Sequence, residues 1–319
     1  MSDLKDLKIR WALHRDESEP TSRQRGILIY RQLQEWGYDA DRWDMRERAD
    51  IIVCQYDFRD QGAALGKAKV VVQDINDFIM APWHPCRAMF ERCVGKALAV
   101  STGTARLHEH LAKWHSFVRV IPDALEDEYY EVTPAPHDGL NILWVGFSDN
   151  IVFFDEIDPM LAKLAEEFEF TVDFITSLKD GQGKSNLRKA AAKPYPARFH
   201  EWSIPKVLEY LAVSDIAIAP LFHNEWCSCK GPNKALLFMG AGLPVVASDV
   251  TPYRGVIEHG RTGYLCMHPE DWAGALRELQ GSAALRCAVG QRGRRVAGAY
   301  RARVVAKQWL DFFEEIRPR

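Results

Sequence analysis

The segment from Lys230 to Leu265, KGPNKALLFMGAGLPVVASDVTPYRGVIEHGRTGYL, constrains the fold more than any other stretch. Lys234 to Met239 is a run of good helix formers. Gly240, Gly242 and Pro244 stop it, because Gly permits a left-handed backbone and Pro cannot continue a helix. Pro244-Val-Val-Ala-Ser is a short apolar run, which reads as a strand covered on both faces. Asp249 follows at that strand's carboxyl end, the edge at which open parallel sheets bind ligands. Lys230 and Lys234 stand four residues apart at the helix start. Both can face one anion there, where the helix dipole already favours negative charge. The segment predicts a site for a phosphorylated ligand.

Strand and helix signals alternate along the rest of the chain. In the first half, strands are expected at Leu7 to Leu13, Ile51 to Cys54, Lys69 to Gln73, Ala97 to Val100 and Val118 to Ile121. Helices are expected at Thr21 to Trp36, Phe90 to Lys96 and Ala105 to Lys113. Thr133-Pro-Ala-Pro-His-Asp-Gly then reads as a linker. The pattern restarts with strands at Asn141 to Val145, Thr171 to Ile175 and Ile216 to Pro220, and helices at Asp158 to Glu167 and Ile204 to Val213. Such alternation implies parallel sheets with helices on both faces. With 319 residues, two domains fit better than one.

Composition excludes little but excludes it firmly. The formal net charge is -3, so no global electrostatic case for nucleic acid exists. The tail Arg286 to Arg303 is locally cationic; it reads as a solvated helix face, with contact to a membrane or polyanion as the second reading. The first twenty residues are charged and show no apolar signal core, and no run reaches the roughly 18 apolar residues of a membrane span. A cytoplasmic location is the expectation. The seven cysteines are odd in number and scattered, which suits reduced thiols. Cys227-Ser-Cys229 lacks a second pair or a nearby His at metal-site spacing, so no metal site is expected.

Several of these residues carry a family likeness. Gly242-Leu-Pro-Val-Val-Ala-Ser-Asp, Pro252-Tyr253, Glu258-His-Gly-Arg-Thr-Gly-Tyr-Leu and the preceding Leu211-Ala-Val-Ser-Asp-Ile-Ala-Ile-Ala-Pro-Leu resemble the GT-B glycosyltransferases, in particular the retaining glycosyltransferase family 4. Cys229-Lys230 through Lys234 is similar to the K-S-x-x-K segment of one branch. Weaker matches are Ser22-Arg-Gln-Arg, Asp74-Ile-Asn-Asp, Val100-Ser-Thr and Val120-Ile-Pro-Asp. The resemblance implies an α/β chain of GT-B fold, with two Rossmann-like domains whose parallel sheets face across a cleft. Residues 1–135 would bind the acceptor and 136–303 the nucleotide-sugar donor, while 304–319 would form a helix crossing back to the first domain. It implies no cofactor beyond the donor and no metal, since protein cations would replace it. The partners it implies are a nucleotide sugar and a saccharide or lipid-linked acceptor.

Roles follow residue by residue. A nucleotide-sugar donor leaves a diphosphate behind, and cations aimed at the developing charge favour the transition state. Lys230 and Lys234 are the candidates. Gly146 and Ser148 follow the first strand of the second half, where a Gly lets backbone approach a phosphate. Thr251 and Pro252 could offer backbone amides to the donor, and Tyr253 either joins them or packs against the strand ends. Trp202 falls where relatives hold the base, or is a core aromatic. Arg23 and Arg25 either bind an anionic acceptor or donor phosphate or sit solvated at a helix terminus. Asp74 is the candidate base or a helix cap, and Asp77 a candidate acceptor ligand. His84, His200 and His223 receive no catalytic role.

The pattern also breaks. Where the family carries a donor-ribose Glu in this helix, the chain has Leu237. The partner Glu eight residues earlier falls at Cys229, and a further one at Gly255. Leu cannot accept a hydrogen bond from a vicinal diol. A ribose held otherwise, an unusual donor, or a non-catalytic carbohydrate- or partner-binding protein all fit.

Overall fold

The computed structural model describes residues 3–15, 17, 19–56, 58–178 and 192–318. The chain divides into two units. The first comprises Met1–Glu126, Ser228–Gly231 and Ala299–Arg319; the second comprises Asp127–Cys227 and Pro232–Gly298.

The first unit is built on a six-stranded sheet of order β2-β1-β3-β4-β5-β6. Its strands are β1 (Ile9–Ala12), β2 (Ala40–Arg42), β3 (Ala49–Gln55), β4 (Ala68–Asp74), β5 (Ala99–Thr102) and β6 (Val118–Val120). Every pairing is parallel. The order places the topological switch between β1 and β3, as in flavodoxin-like sheets. β1 and β5 are buried along their whole length, as strands covered on both faces are. β2 was not foreseen: only three residues long and mostly exposed at the sheet edge, it carries the polar residues an edge strand uses against aggregation.

The second unit repeats the plan with the order β12-β11-β10-β7-β8-β9. Here β7 is Asn141–Val145, β8 Thr171–Thr176, β9 Ala197–Glu201, β10 Ile216–Ala219, β11 Val245–Ser248 and β12 Tyr264–Cys266. All pairings are again parallel. This is the Rossmann order, and its switch lies where β7 meets β10. β9 escaped the sequence reading for the same reason as β2: its residues are only partly covered.

The expected linker lies inside the second unit. A short 3-10 turn, Asp127–Tyr130, packs on the helix Asn233–Gly240. The Ala135 amide donates to the Ala212 carbonyl at 2.7 Å. Composition marks Thr133–Gly139 as a loop, but contacts move the border to Asp127.

The final helix, Ala302–Ile316, belongs to the first unit. Val305, Trp309, Phe312 and Phe313 are buried in its core. Trp309 and Phe313 meet Trp11 of β1 edge-on, with ring centroids 6.1 and 5.7 Å apart. Among the described residues no helix is long and apolar enough to cross a membrane.

The cationic tail is engaged in part. On the helix Ala283–Ala297, Arg286 bonds the Leu279 carbonyl at 2.8 Å and pairs with Asp215 at 3.1 Å. Arg292 donates to the Arg261 carbonyl, and Arg294 to that of Tyr130. These three guanidiniums fasten the helix to its own unit, while Arg295 and Arg303 are exposed.

Candidate functional site

In the second unit the switch point gathers two of the sequence candidates. β7 ends at Val145, and the chain turns at Gly146. The helix Asn233–Gly240, reached from neighbouring β10, opens with Asn233 and Lys234. The Lys234 ammonium lies 4.7 Å from the ring centroid of Trp144, over its face. A side chain at Gly146 would meet that ammonium, since a Cβ there falls 2.9 Å from Nζ and 2.7 Å from Trp144 Cζ2. Glycine at 146 therefore leaves the room in which the cation sits. Trp144 is itself fully buried and held by Phe154 and Phe174, at 5.6 and 5.7 Å. The arrangement puts a positive charge, a side-chain-free turn and a helix N-terminus at the edge where doubly wound sheets bind phosphates.

Gly146→Ala is expected to destabilise the protein by about 1–3 kcal/mol through overpacking and to weaken binding of a nucleoside diphosphate. Denaturant unfolding and titration calorimetry measure the two effects. Unaltered affinity would show that the ammonium's position does not matter.

Lys230 departs from expectation. The helix starts at Asn233, with Pro232 as its N-cap. Lys230 thus precedes the helix instead of sharing its first turn, and it groups with the first unit. The stop at Gly242 is as expected: its φ is +82°, a left-handed conformation that glycine adopts without strain. Ser248 at the end of β11 bonds both the amide and the carbonyl of Leu221 at 2.8 Å, fixing the path that leaves β10.

The remaining donor candidates are mixed. Ser148 is buried at the start of a 3-10 run, Ser148–Phe154. Trp202 is half-buried just past β9, and its amide donates to the carbonyl of Thr176 at the end of β8. Thr251–Arg254 forms one helical turn after β11. Within it Thr251 is exposed, but Pro252 and Tyr253 are buried. Tyr253 is 1% exposed, and burial raises its hydroxyl pKa. It is a packing residue, the second of the two roles open to it. Sequence reasoning missed the bond between Asp249 and Arg254, whose Nε and Nη2 reach the carboxylate at 2.5 and 3.0 Å. The Arg254 hydrogen bond holds that carboxyl below its ordinary range. It also missed Trp144, since nothing in a buried apolar strand marks one aromatic as a cation platform.

In the first unit three candidates turn inward. The helix that starts at Pro20 contains a π-helical turn, Arg23–Ile27, all five residues of which are buried. Arg25 is fully buried. Its Nε reaches both Asp74 oxygens at 3.1 and 2.9 Å, and Nη2 reaches one at 2.6 Å. Nη1 donates to Asp123 at 2.8 Å and to the Ile121 carbonyl at 2.6 Å. Burial lowers its pKa, but Asp74 and Asp123 outweigh that and hold it above the ordinary range. The guanidinium also lies 5.8 Å from the Trp309 ring. Ser101 donates a further bond to Asp74 at 2.7 Å. Arg23 pairs with Glu126 at 2.7 Å. Neither arginine is a solvated helix terminus, and Arg25 is not an anion ligand. Asp74 is neither a helix cap nor an accessible base, because its oxygens are occupied inside the core.

What that sheet edge presents is different. Asp77 is half-buried and accepts the Phe78 amide at 2.7 Å. Asn76 donates to Thr21 at 3.1 Å. The His84 Nδ1 accepts the Cys86 amide at 3.1 Å, which leaves Nε2 to meet the Tyr56 hydroxyl at 3.0 Å. Tyr56 follows β3 with a φ of +44°, strained for a non-glycine residue. Burial, then Asp77, raises its pKa.

The described architecture defines a class: two parallel six-stranded Rossmann-like sheets form the GT-B glycosyltransferase fold. Residues 140–281, most of the second unit, match the family model "Glycosyl transferases group 1". No curated protein matches the chain. Among solved structures, a glycosyltransferase from Rickettsia africae ESF-5 is 12% identical, with 97% of each chain covered and a TM-score of 0.72. Anabaena Alr3699/HepE, in complex with UDP and glucose, is 11% identical over 97% of this chain and 99% of that one, at 0.72. Sucrose-phosphate synthase from Thermosynechococcus elongatus is 16% identical over 84% of this chain and 74% of that one, at 0.65.

Proposed function

We propose that the chain is a retaining glycosyltransferase that moves a sugar from a nucleotide donor to a saccharide or lipid-linked acceptor. The observation that carries this is the Lys234 ammonium set over Trp144 against Gly146, at the switch point of a sheet matched by the group 1 family. On this reading the bond between the anomeric carbon and the donor phosphate oxygen breaks. The acceptor hydroxyl bonds to that carbon on the same face, and its proton ends on the departing diphosphate. Lys234 and the helix amides balance the charge that develops on the diphosphate, in place of a divalent cation. Gly146, Ser148, Trp202, Thr251 and the backbone at Pro252 surround the donor. Asp77, with Tyr56 and His84 beside it, replaces Asp74 as the group facing the acceptor. The reaction takes place in the cytoplasm, at the membrane surface.

UDP is the nucleotide of choice for a first test, because the HepE complex and a TarM complex both hold it. A titration to about 100 times the dissociation constant should stabilise the folded protein by about 2.7 kcal/mol, read as a rise in Tm. A flat response to UDP and to every other common nucleoside diphosphate would remove the reading.

Two observations favour a second reading, a non-catalytic GT-B protein that binds a carbohydrate or partner. Leu237, half-buried on the same helix as Lys234, offers no acceptor for a ribose, and Asp74 is locked in the core. Donor hydrolysis or sugar transfer by the pure protein rules this second reading out.

A further inference from the structure

At the amino-terminal edge of β5 three pieces of the first unit converge. The helix Arg87–Cys93 runs into the 3-10 turn Val94–Lys96 and then Leu98. The helix Ala105–Leu111 ends in the turn that carries Trp114 and His115. His115 Nε2 lies 3.2 Å from the Ala97 carbonyl, which ties the two chain segments together. Trp114 stands edge-on to buried Phe90, with ring centroids 5.3 Å apart. Despite that support Trp114 is 40% exposed, and Leu98 is 54% exposed. Around them Arg92, Lys96 and Lys113 are exposed. Among the described residues these three cations have no carboxylate partner. The nearby acids are already used: Glu91 pairs with Arg87 at 2.8 Å, and Glu109 with Arg106.

We propose that this edge docks the protein onto an anionic phospholipid surface. It gives a location to the membrane contact of the reading above. A chain of net charge -3 is repelled as a whole by an anionic bilayer, so attraction has to come from a local cluster. Arg92, Lys96 and Lys113 supply that cluster, since unpaired cations beside an anionic leaflet are drawn to its headgroups. Trp114 and Leu98 supply the second component. An indole anchored at its base by Phe90, with its outer edge exposed, suits the boundary between headgroups and acyl chains. Two apolar side chains alone bind too weakly for a neutral membrane, and three cations alone would bind any polyanion. Their combination selects a surface that is both anionic and penetrable.

The test is co-sedimentation of the full chain with vesicles of phosphatidylcholine, and with vesicles containing about 30 mol% phosphatidylglycerol. It uses neither donor nor acceptor, so its outcome and that of the nucleotide titration are independent. The protein is expected on the anionic vesicles only, with binding lost at high salt. Lys96→Glu with Lys113→Glu is expected to weaken partitioning at least about tenfold. Leu98→Ser should also weaken it, while leaving retention on heparin unchanged. These side chains are exposed, and a thermal melt verifies that the variants fold. Equal sedimentation with both vesicle types, or full binding by the double Glu variant, overturns the proposal. So does anionic binding indifferent to Leu98→Ser, which would mark a polyanion site instead.

Discussion

Lys234→Ala is expected to lower turnover by about 10²–10³-fold, the range found when one group aimed at developing charge is removed. The effect should fall on kcat more than on the acceptor's KM if, as proposed, the ammonium balances the leaving diphosphate. Geometry makes this residue the strongest choice. Its ammonium rests over the Trp144 ring and fills the space that Gly146 leaves open. Steady-state kinetics with a UDP-sugar measure the change. Lys234→Arg should restore part of the rate, since the charge returns with a different shape. Stability should barely move, a cation–π contact contributing about 0.5–1 kcal/mol at a partly exposed site. Wild-type turnover in Lys234→Ala would sink the assignment.

Arg25→Met should act in the opposite way. The side chain is fully buried between Asp74 and Asp123. Removing it leaves the buried Asp74 carboxylate without its cation, and breaking a buried pair costs about 3–5 kcal/mol. Chemical denaturation of the variant should show that loss. At a permissive temperature, whatever protein remains folded should keep its donor affinity, because Arg25 is buried in the first unit and Lys234 belongs to the second. A variant of normal stability with a raised acceptor KM would restore the role of anion ligand to Arg25. Arg25→Lys should recover only part of the stability, because one ammonium cannot reproduce the fork on Asp74 and the bonds to Asp123 and Ile121.

The contrast between Lys234 and Arg25 shows how far the sequence could be read. Central strands were legible because burial on both faces requires continuous apolar residues, as in Ile142 to Val145 and Val245 to Ala247. Edge strands such as Ala40–Arg42 were not, since partial cover relaxes that requirement. Gly242 was legible as a stop, and its left-handed φ gives the reason. Arg23, Arg25 and Asp74 were misread together. A charged residue near a strand end looks the same in sequence whether it faces water or a partner, and here the partners are 49 and 103 residues away in the chain. The π turn of Arg23–Ile27 that carries both arginines on its buried side has no signature in periodicity.

By itself the sequence determined two alternating α/β halves, the parallel sheets and the helix-turn-strand course of the Lys234 segment. These depend on local backbone preference and on burial period, both written along the chain. Only the tertiary structure decided which charges are paired inside the core and which lie at the sheet edge. It buried Asp74 on Arg25, set Lys234 over Trp144 and moved the unit border to Asp127. The physical reason is that a charge takes its role from its surroundings, and folding brings those together from distant parts of the chain.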